Sequence, residues 1–306
     1  MNLIALLIGL AIERLATQLF HWRRMRWLER IIDAGFERAM HDSAWPPLLV
    51  VLGLVALLVL PVLVVTFALG DALLGFPYLV LAIVVLFFSL GPKDIGEAVD
   101  EYCAALVDGN DEDVRRNAAG LLEGEVIEEP RERMHAVESA VFIQANNRLF
   151  AVIFWFIALG PFGPLGAWTY RVTDLIRRRA VFNAGRATDD DRAALDALRD
   201  VATSVHGWLA WIPARLTALG YAVAGHFDEA LRAWRNQPET ASTPSRATEL
   251  LLARVGTGAM ALAEVPDEDL VERSVRGATS AKNLVYRLLL IWAVVIAALT
   301  LYGWSA

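Results

Sequence analysis

Long apolar blocks, separated by charged stretches, form the hydrophobic pattern of this chain. A helix that crosses a bilayer needs about 20 mostly apolar residues. We predict spanning helices in four blocks, which are residues 1–20, 46–69, 73–90 and 284–304. Glu13 and Arg14 interrupt the first block. Because a signal peptide has its charges before its apolar region, we expect this block to stay in the mature protein.

Two further apolar blocks contain residues that interrupt helices. Residues 149–168 hold two Gly-Pro pairs, and residues 204–225 hold Pro213 and Arg215 near the middle. Proline and glycine inside a span leave backbone groups that protein or water must satisfy, because lipid offers no hydrogen-bond partner. We therefore predict that both blocks are broken or re-entrant segments, packed against other helices or lining a cavity.

The positive charges indicate which loops face the cytoplasm. Arginine and lysine concentrate in four stretches, which are residues 21–45, 91–148, 169–203 and 226–283. Because basic loops stay on the cytoplasmic side, we expect all four stretches inside and both termini outside. This arrangement requires the two interrupted blocks to re-enter. The alternative, in which both blocks cross and residues 169–203 are periplasmic, stays open.

The connecting stretches are typical of helices rather than strands. No stretch sustains the alternation of apolar and polar residues that a half-buried strand needs. The sequence therefore predicts an all-α, polytopic membrane protein with about four spanning helices, two broken or re-entrant segments and cytoplasmic helices. We expect a single membrane domain over residues 1–306, with a cytoplasmic helical insertion at 91–148 and helical connecting regions at 169–203 and 226–283.

Composition excludes several classes of function. Hydrophobic residues make up 56% and charged residues 21% of the chain, whereas soluble domains are about 25% charged. The formal net charge of −7 argues against a nucleic-acid partner, which would require a basic face. The single cysteine, Cys103, excludes an internal disulfide and a cysteine-based metal site. The five histidines lack zinc spacing, so we expect no metal and no cofactor.

Ionisable and polar residues near the apolar blocks are the candidate site. A charge at bilayer depth is costly, so it usually faces a bundle interior or water and has a partner. Glu138 and Asn146 are eight residues apart and share one helical face. We predict a cytoplasm-facing, ligand-binding polar pocket, with structural ion pairs as the open alternative. Its candidate residues are Glu13, Asp94, Glu138, Asn146, Arg148, Trp211 and Arg215.

Several motifs, in order along the whole chain, resemble one known family. They are Ile12-Glu13-Arg14-Leu15, Ala145-Asn146-Asn147-Arg148-Leu149-Phe150, Trp211-Ile212-Pro213-Ala214-Arg215-Leu216, Gly225-His226-Phe227 and Ala281-Lys282. With these motifs the chain resembles the AmpE family, which are inner-membrane proteins of β-lactamase regulation. The resemblance implies a signalling modulator of the bacterial inner membrane, linked to β-lactamase induction and peptidoglycan recycling. The resemblance does not identify a ligand.

The AmpE family is itself similar to CobD/CbiB, the membrane enzymes that attach the aminopropanol arm in cobalamin synthesis. Here that wider resemblance is carried by Asp94, Glu138-Ser139, Phe154-Trp155 and the motif around Arg215. The cobalamin enzymes have an Asp-Gly pair before their Phe-Trp, and this chain lacks it. The missing pair argues against ligase chemistry in this chain, but it does not argue against a shared scaffold.

The leading hypothesis is a non-enzymatic regulator that binds a small anionic ligand or a protein partner. Arg215 and Arg148 would contact the anion, while Glu13, Glu138 and Asn146 would orient them. The alternative is a CobD/CbiB-like amide ligase or transferase, with ATP as co-substrate and Mg²⁺ held by Glu138 and Asp94. A transporter with broken helices is a third hypothesis. The lipid bilayer is the expected partner in every case, and a homodimer is compatible with the sequence.

Overall fold

The computed structural model describes residues 25–41, 45–68, 75–90, 94–124, 127–236 and 243–301. These residues are almost entirely helical, and no strand occurs among them. The all-α prediction is therefore confirmed. The chain divides into two compact units. Unit 1 contains the described parts of residues 1–92, 151–210 and 299–306, and unit 2 contains those of residues 93–150 and 211–298. The single membrane domain expected from the sequence stays a prediction.

The helices of unit 1 enclose a core of aliphatic and aromatic side chains. They are α1 (Arg26–His41), α2 (Pro47–Ala68), α3 (Phe76–Ser89), α7 (Ala151–Ala158), α8 (Gly163–Ala184) and the first part of α9 (Arg192–Ala224). Phe36 of α1 and Leu54 of α2 belong to this core, together with Val172 and Ile176 of α8. A Cβ at Gly35 would lie 2.6 Å from a Leu54 methyl group, so glycine permits the close approach of α1 to α2.

Unit 2 has its own core. Its helices are α4 (Ile95–Val107), α5 (Asp111–Leu121), α6 (Pro130–Ala145), the remainder of α9, α10 (Phe227–Arg235), α11 (Pro244–Met260) and α12 (Leu270–Leu301) up to residue 298. Phe142 lies at the centre, with its ring edge-on to Tyr221 at 4.9 Å between centroids. A Cβ at Gly256 would lie 2.3 Å from the Phe142 ring, so α11 needs glycine at this contact.

Three described helices are long and apolar enough to cross a membrane, namely Pro47–Ala68, Pro130–Ala158 and Leu270–Ala298. The first corresponds to the predicted span at 46–69, and the third includes most of the predicted span at 284–304. The predicted span at 73–90 forms the 14-residue helix α3, about 21 Å long, which is shorter than the roughly 30 Å of a bilayer core. The predicted span at 1–20 lies outside the described residues.

The predicted interruption within 149–168 is present in the structure. After α6 the helix widens into a π-helical turn at Asn146–Phe150, continues as α7 and stops at a 3₁₀ turn, Gly160–Phe162. Gly160 has a φ of +53°, a left-handed conformation that glycine adopts without strain. Helix α8 then begins at Gly163, with Pro164 in its first turn, where the missing N–H costs no helical hydrogen bond.

The predicted interruption within 204–225 is absent, because α9 runs without a break through Pro213. Proline has no N–H, so the carbonyl of Leu209 loses its normal helical donor. The indole Nε1–H of Trp155 donates to this carbonyl oxygen at 3.1 Å. A side chain from α7 thus replaces the missing backbone donor, and the helix can continue.

Candidate functional site

Six of the seven predicted site residues lie in unit 2, whereas Glu13 lies outside the described residues. Asp94 is the N-cap of α4, and its carboxylate accepts hydrogen bonds from the Gly96 N–H and the Tyr286 hydroxyl, both at 3.2 Å. A Cβ at Gly96 would lie 1.8 Å from that hydroxyl oxygen. Glycine at position 96 therefore gives the tyrosine access to the cap.

Glu138 is a buried carboxylate held by an arginine. Its side chain is 4% exposed, and Arg273 of α12 donates from Nη1 to Glu138 Oε1 at 2.5 Å. His135 lies one turn earlier, with Nδ1 at 3.7 Å from the other carboxylate oxygen. A Cβ at Gly277 would lie 1.8 Å from Oε1, so this glycine makes room for the carboxylate. The resulting ion pair joins α6 to α12.

Asn146, Asn147 and Arg148 are buried together in the π-helical turn. The Asn146 amide donates to Asn147 Oδ1 at 3.1 Å and accepts from the Thr217 hydroxyl of α9 at 3.0 Å. Such turns are frequent at functional sites, because the extra residue changes which side chains face inward. Here the turn places consecutive polar side chains in the interior of unit 2.

Arg148 continues this polar arrangement towards the end of α5. Its Nε donates to Gln144 Oε1 at 2.8 Å, and its Nη2 donates to the Gly120 carbonyl at 3.4 Å. The Gln144 amide donates in turn to Glu123 Oε1 at 2.9 Å. A guanidinium held among amides and a carboxylate can recognise a carboxylate or phosphate group if the arrangement opens. We refer to Glu123, Gln144, Asn146, Arg148 and Thr217 as the π-turn network.

Trp211 and Arg215 form a separate pair on the outer side of α9. The guanidinium lies 3.8 Å from the indole centroid, and Arg215 Nη1 donates to the Trp211 carbonyl at 3.0 Å. Trp211 is 43% exposed, whereas Thr217 is fully buried on the opposite side of the helix. The structure therefore places Arg215 on the side of α9 that faces away from Asn146. The role of these residues in binding one common ligand stays a prediction.

The described residues contain no group of three or more histidine, cysteine, aspartate or glutamate side chains that could hold a metal ion. Asp94 and Glu138, which the ligase hypothesis assigns to Mg²⁺, are bound to Tyr286 and Arg273 respectively. Their contacts therefore differ from those of a magnesium site, and no step through this ion can be derived from them.

Unit 1 contains a buried ionic cluster that the sequence interpretation missed. Asp174 of α8 is fully buried, and three arginines of the same helix surround its carboxylate. Arg171 Nη1, Arg177 Nη2 and Arg178 Nε lie 3.1, 2.9 and 2.8 Å from its oxygens. The buried His206 of α9 has its Nε2 at 3.7 Å from Asp174 Oδ1.

The electrostatics of this cluster favour an ionised aspartate. Burial by itself raises the pKa of Asp174, but the positive charges of Arg178, Arg177, His206 and Arg171 outweigh it and hold the pKa well below its ordinary value. The signal was present as Arg-x-x-Asp-x-x-Arg-Arg, because residues three and four apart are neighbours on a helix. The charge pattern alone predicts only that these arginines belong to a basic cytoplasmic stretch.

A cleft of about 300 Å³ opens elsewhere in unit 1, between α1, α8 and the start of α9. On its wall, Arg179 donates from Nε and Nη2 to the two carboxylate oxygens of Asp33, each at 2.6 Å. Asn183 donates to the same carboxylate at 3.1 Å. Burial raises the pKa of Asp33, but the hydrogen bonds from Arg179 and Asn183 and the charge of Arg179 have a larger, opposite effect. The net pKa of Asp33 therefore lies below its ordinary value.

Two of the comparisons with known proteins extend over nearly the whole chain. A family model described as regulatory signalling modulator protein AmpE matches residues 1–305. Protein AmpE of Shigella flexneri is 27% identical over 313 residues, which cover 99% of each chain. Cobalamin biosynthesis protein CobD of Chromobacterium violaceum is 25% identical over 246 residues, 78% of this chain and 74% of that protein.

The CobD of Stutzerimonas stutzeri is 27% identical over 217 residues, covering 69% of this chain and 68% of that protein. No solved structure matches this chain.

Proposed function

The chain belongs to the AmpE family of regulatory signalling modulator proteins, and on this basis we propose that it modulates β-lactamase induction from the bacterial inner membrane. The observation that carries the proposal is the match of the family model to residues 1–305, together with an AmpE relative aligned over 99% of both chains. The three apolar helices long enough to span support a multi-pass membrane location. The link to peptidoglycan recycling is part of the same proposal.

We further propose that the π-turn network is where a small anionic ligand or a partner acts. Asn146 and Arg148 are buried polar groups on a π-helical turn, and Arg148 can exchange its bond to Gln144 for a bond to an anion. The network joins α5, α6 and α9 through hydrogen bonds. Binding there would change the packing between these helices, which is the chemical basis of a signal.

Deletion of the gene tests the regulatory role. We expect cells without the protein to change their β-lactamase activity after exposure to a β-lactam inducer, and expression of the full chain to restore the original response. Growth rate and membrane content serve as controls for a general defect. Identical induction curves in deleted and complemented cells would contradict the regulatory role.

A CobD/CbiB-like ligase is the second candidate, because two CobD proteins match more than two thirds of the chain. This activity requires turnover of a nucleotide by the purified protein. We expect any such turnover to depend on magnesium and to be lost in Glu138→Gln, with Glu132→Gln as a matched exposed control on the same helix. Absence of turnover with every nucleotide would remove the ligase candidate.

A further inference from the structure

Helix α9 has two contrasting faces within unit 2. The inner face is made of small and polar side chains, and the outer face is made of large apolar ones. Buried on the inner face are Ala214, Thr217, Ala218, Tyr221 and Ala222. Exposed on the outer face are Trp211, Ile212, Leu216, Leu219 and Val223, each 42–60% exposed. A helix of a soluble protein has the reverse distribution, with its large apolar residues in the core.

This distribution is typical of a helix that faces lipid. Small residues at a helix contact let backbones approach closely, and without water outside there is no gain in turning large apolar residues inward. From Trp211 to Val223 the outer face is about 18 Å long and lies within an arc of about 140°. That shape matches a helix embedded at the boundary of headgroups and acyl chains.

One charged residue lies within this apolar face. Arg215 stacks on Trp211 at 3.8 Å and uses Nη1 for the Trp211 carbonyl. No carboxylate of the described residues pairs with it. An arginine has five N–H donors, so several remain to bind an acceptor outside the protein. An acceptor next to an apolar face is best supplied by a molecule that is both anionic and apolar.

We propose that the outer face of α9 between Trp211 and Val223 lies against the bilayer and that Arg215 binds the phosphate of an anionic phospholipid. The acyl chains contact Ile212, Leu216, Leu219 and Val223, and the stack on Trp211 orients the guanidinium. Tryptophan is enriched at the level of the headgroups, which is the depth this contact requires. The site is separate from the π-turn network and does not depend on the regulatory role.

Quenching of tryptophan fluorescence by brominated lipid tests the contact. The full chain is reconstituted in vesicles of phosphatidylcholine that contain equal fractions of brominated phosphatidylglycerol or brominated phosphatidylcholine. The emission lost in Trp211→Phe isolates the signal of Trp211, because the chain has 10 tryptophans. We expect both brominated lipids to quench this signal, and brominated phosphatidylglycerol to do so at a lower mole fraction.

Variants of Arg215 test the headgroup contact. We expect Arg215→Gln to reduce the preference for phosphatidylglycerol about fivefold, the effect of one cationic side chain at a membrane surface. Arg215→Lys should retain part of the preference, and high salt should weaken it. Arg254 is an exposed arginine of α11 whose Nη1 donates to the Asn236 carbonyl, and Arg254→Gln should leave the preference unchanged.

Two outcomes would overturn the proposal. No quenching of the Trp211 signal by either lipid would mean that protein, not lipid, covers this face. Equal quenching by the two brominated lipids, with no change in Arg215→Gln, would mean that the face contacts acyl chains without recognising a phosphate.

Discussion

At the scale of single residues, arginines bind the two buried carboxylates of the described residues. Asp174 lies among Arg171, Arg177 and Arg178, and Glu138 binds Arg273. Removing one member of a buried pair leaves the other charge in a medium that solvates it poorly, and this typically costs 3–5 kcal/mol. The carboxylates are therefore structural requirements whether or not a ligand also uses the arginines.

The Asp174 cluster gives a prediction about stability. We expect Asp174→Asn to lower the free energy of unfolding by about 3 kcal/mol, because three guanidiniums lose their shared carboxylate. Chemical unfolding in detergent micelles measures this change. Asp196→Asn is the control, since Asp196 is partly exposed and pairs with Arg199 at the surface. Equal, small effects of both substitutions would contradict the structural role of Asp174.

The Asp33–Arg179 pair gives a prediction about pH. The pKa of Asp33 is lower in the folded chain than its ordinary value, so the pair stabilises the fold above about pH 4. This contribution is lost as pH falls through the folded pKa. We expect Arg179→Gln to cost about 1 kcal/mol at pH 7, because the pair is partly exposed, and less at pH 2, where Asp33 is more protonated. Thermal unfolding at both pH values measures the difference.

Arg232→Gln is the control for this measurement, because Arg232 pairs with Glu229 on an exposed surface. A cost for Arg179→Gln that is the same at both pH values would contradict the assignment to the Asp33 carboxylate.

At the scale of helices, a tryptophan side chain compensates for the proline inside α9. Trp155 Nε1 donates to the Leu209 carbonyl, four residues before Pro213. Because lipid cannot supply a donor, an indole from a neighbouring helix is well suited to satisfy a carbonyl near a proline.

A double-mutant cycle tests the role of Trp155. We expect Trp155→Phe to cost about 1–3 kcal/mol, because the Leu209 carbonyl becomes unsatisfied. Pro213→Ala restores a backbone N–H, so Trp155→Phe should cost much less in that background. Chemical unfolding of the four proteins gives the coupling energy. Equal costs of Trp155→Phe in both backgrounds would contradict the compensation.

The structure of α9 shows why local reasoning predicted some elements and missed others. The break at Gly160 was predictable, because glycine and proline act on their own turn. The continuity at Pro213 was not, because its compensating donor comes from a residue 54 positions away from Leu209 in the chain. The contact of Thr217 with Asn146 spans 71 positions and was equally hidden. The helical spacing of the Asp174 cluster, in contrast, is a local pattern that the sequence itself contains.

At the scale of the whole molecule, the membrane determines which surfaces can be apolar. Exposed leucines and valines occur on α2, on the outer face of α9 and on the last part of α12, for example Leu57, Leu219 and Val294. Patches of this kind are rare on soluble monomers, and they mark membrane or partner surfaces. The predicted number of membrane crossings depends on the uneven distribution of arginine and lysine between the loops, and it can be tested separately.

A cysteine at position 185 tests the topology. Gly185 is exposed at the end of α8, with a φ of −67° that any residue adopts. In a Cys103→Ser background, we expect Gly185→Cys to resist a membrane-impermeant thiol reagent in intact cells and to react after permeabilisation, because residues 169–203 are predicted to be cytoplasmic. Labelling in intact cells would place this stretch in the periplasm and would contradict the re-entrant arrangement.

The most direct measurement of the central claim is β-lactamase induction in cells that depend on an Arg148→Gln variant. The substitution removes the guanidinium from the π-turn network and leaves a shorter, uncharged amide. With equal amounts of protein in the membrane, we predict that Arg148→Gln alters induction as deletion does, whereas Arg254→Gln restores the original response. Normal induction with Arg148→Gln, in cells where deletion does alter induction, would contradict a signalling role of this network.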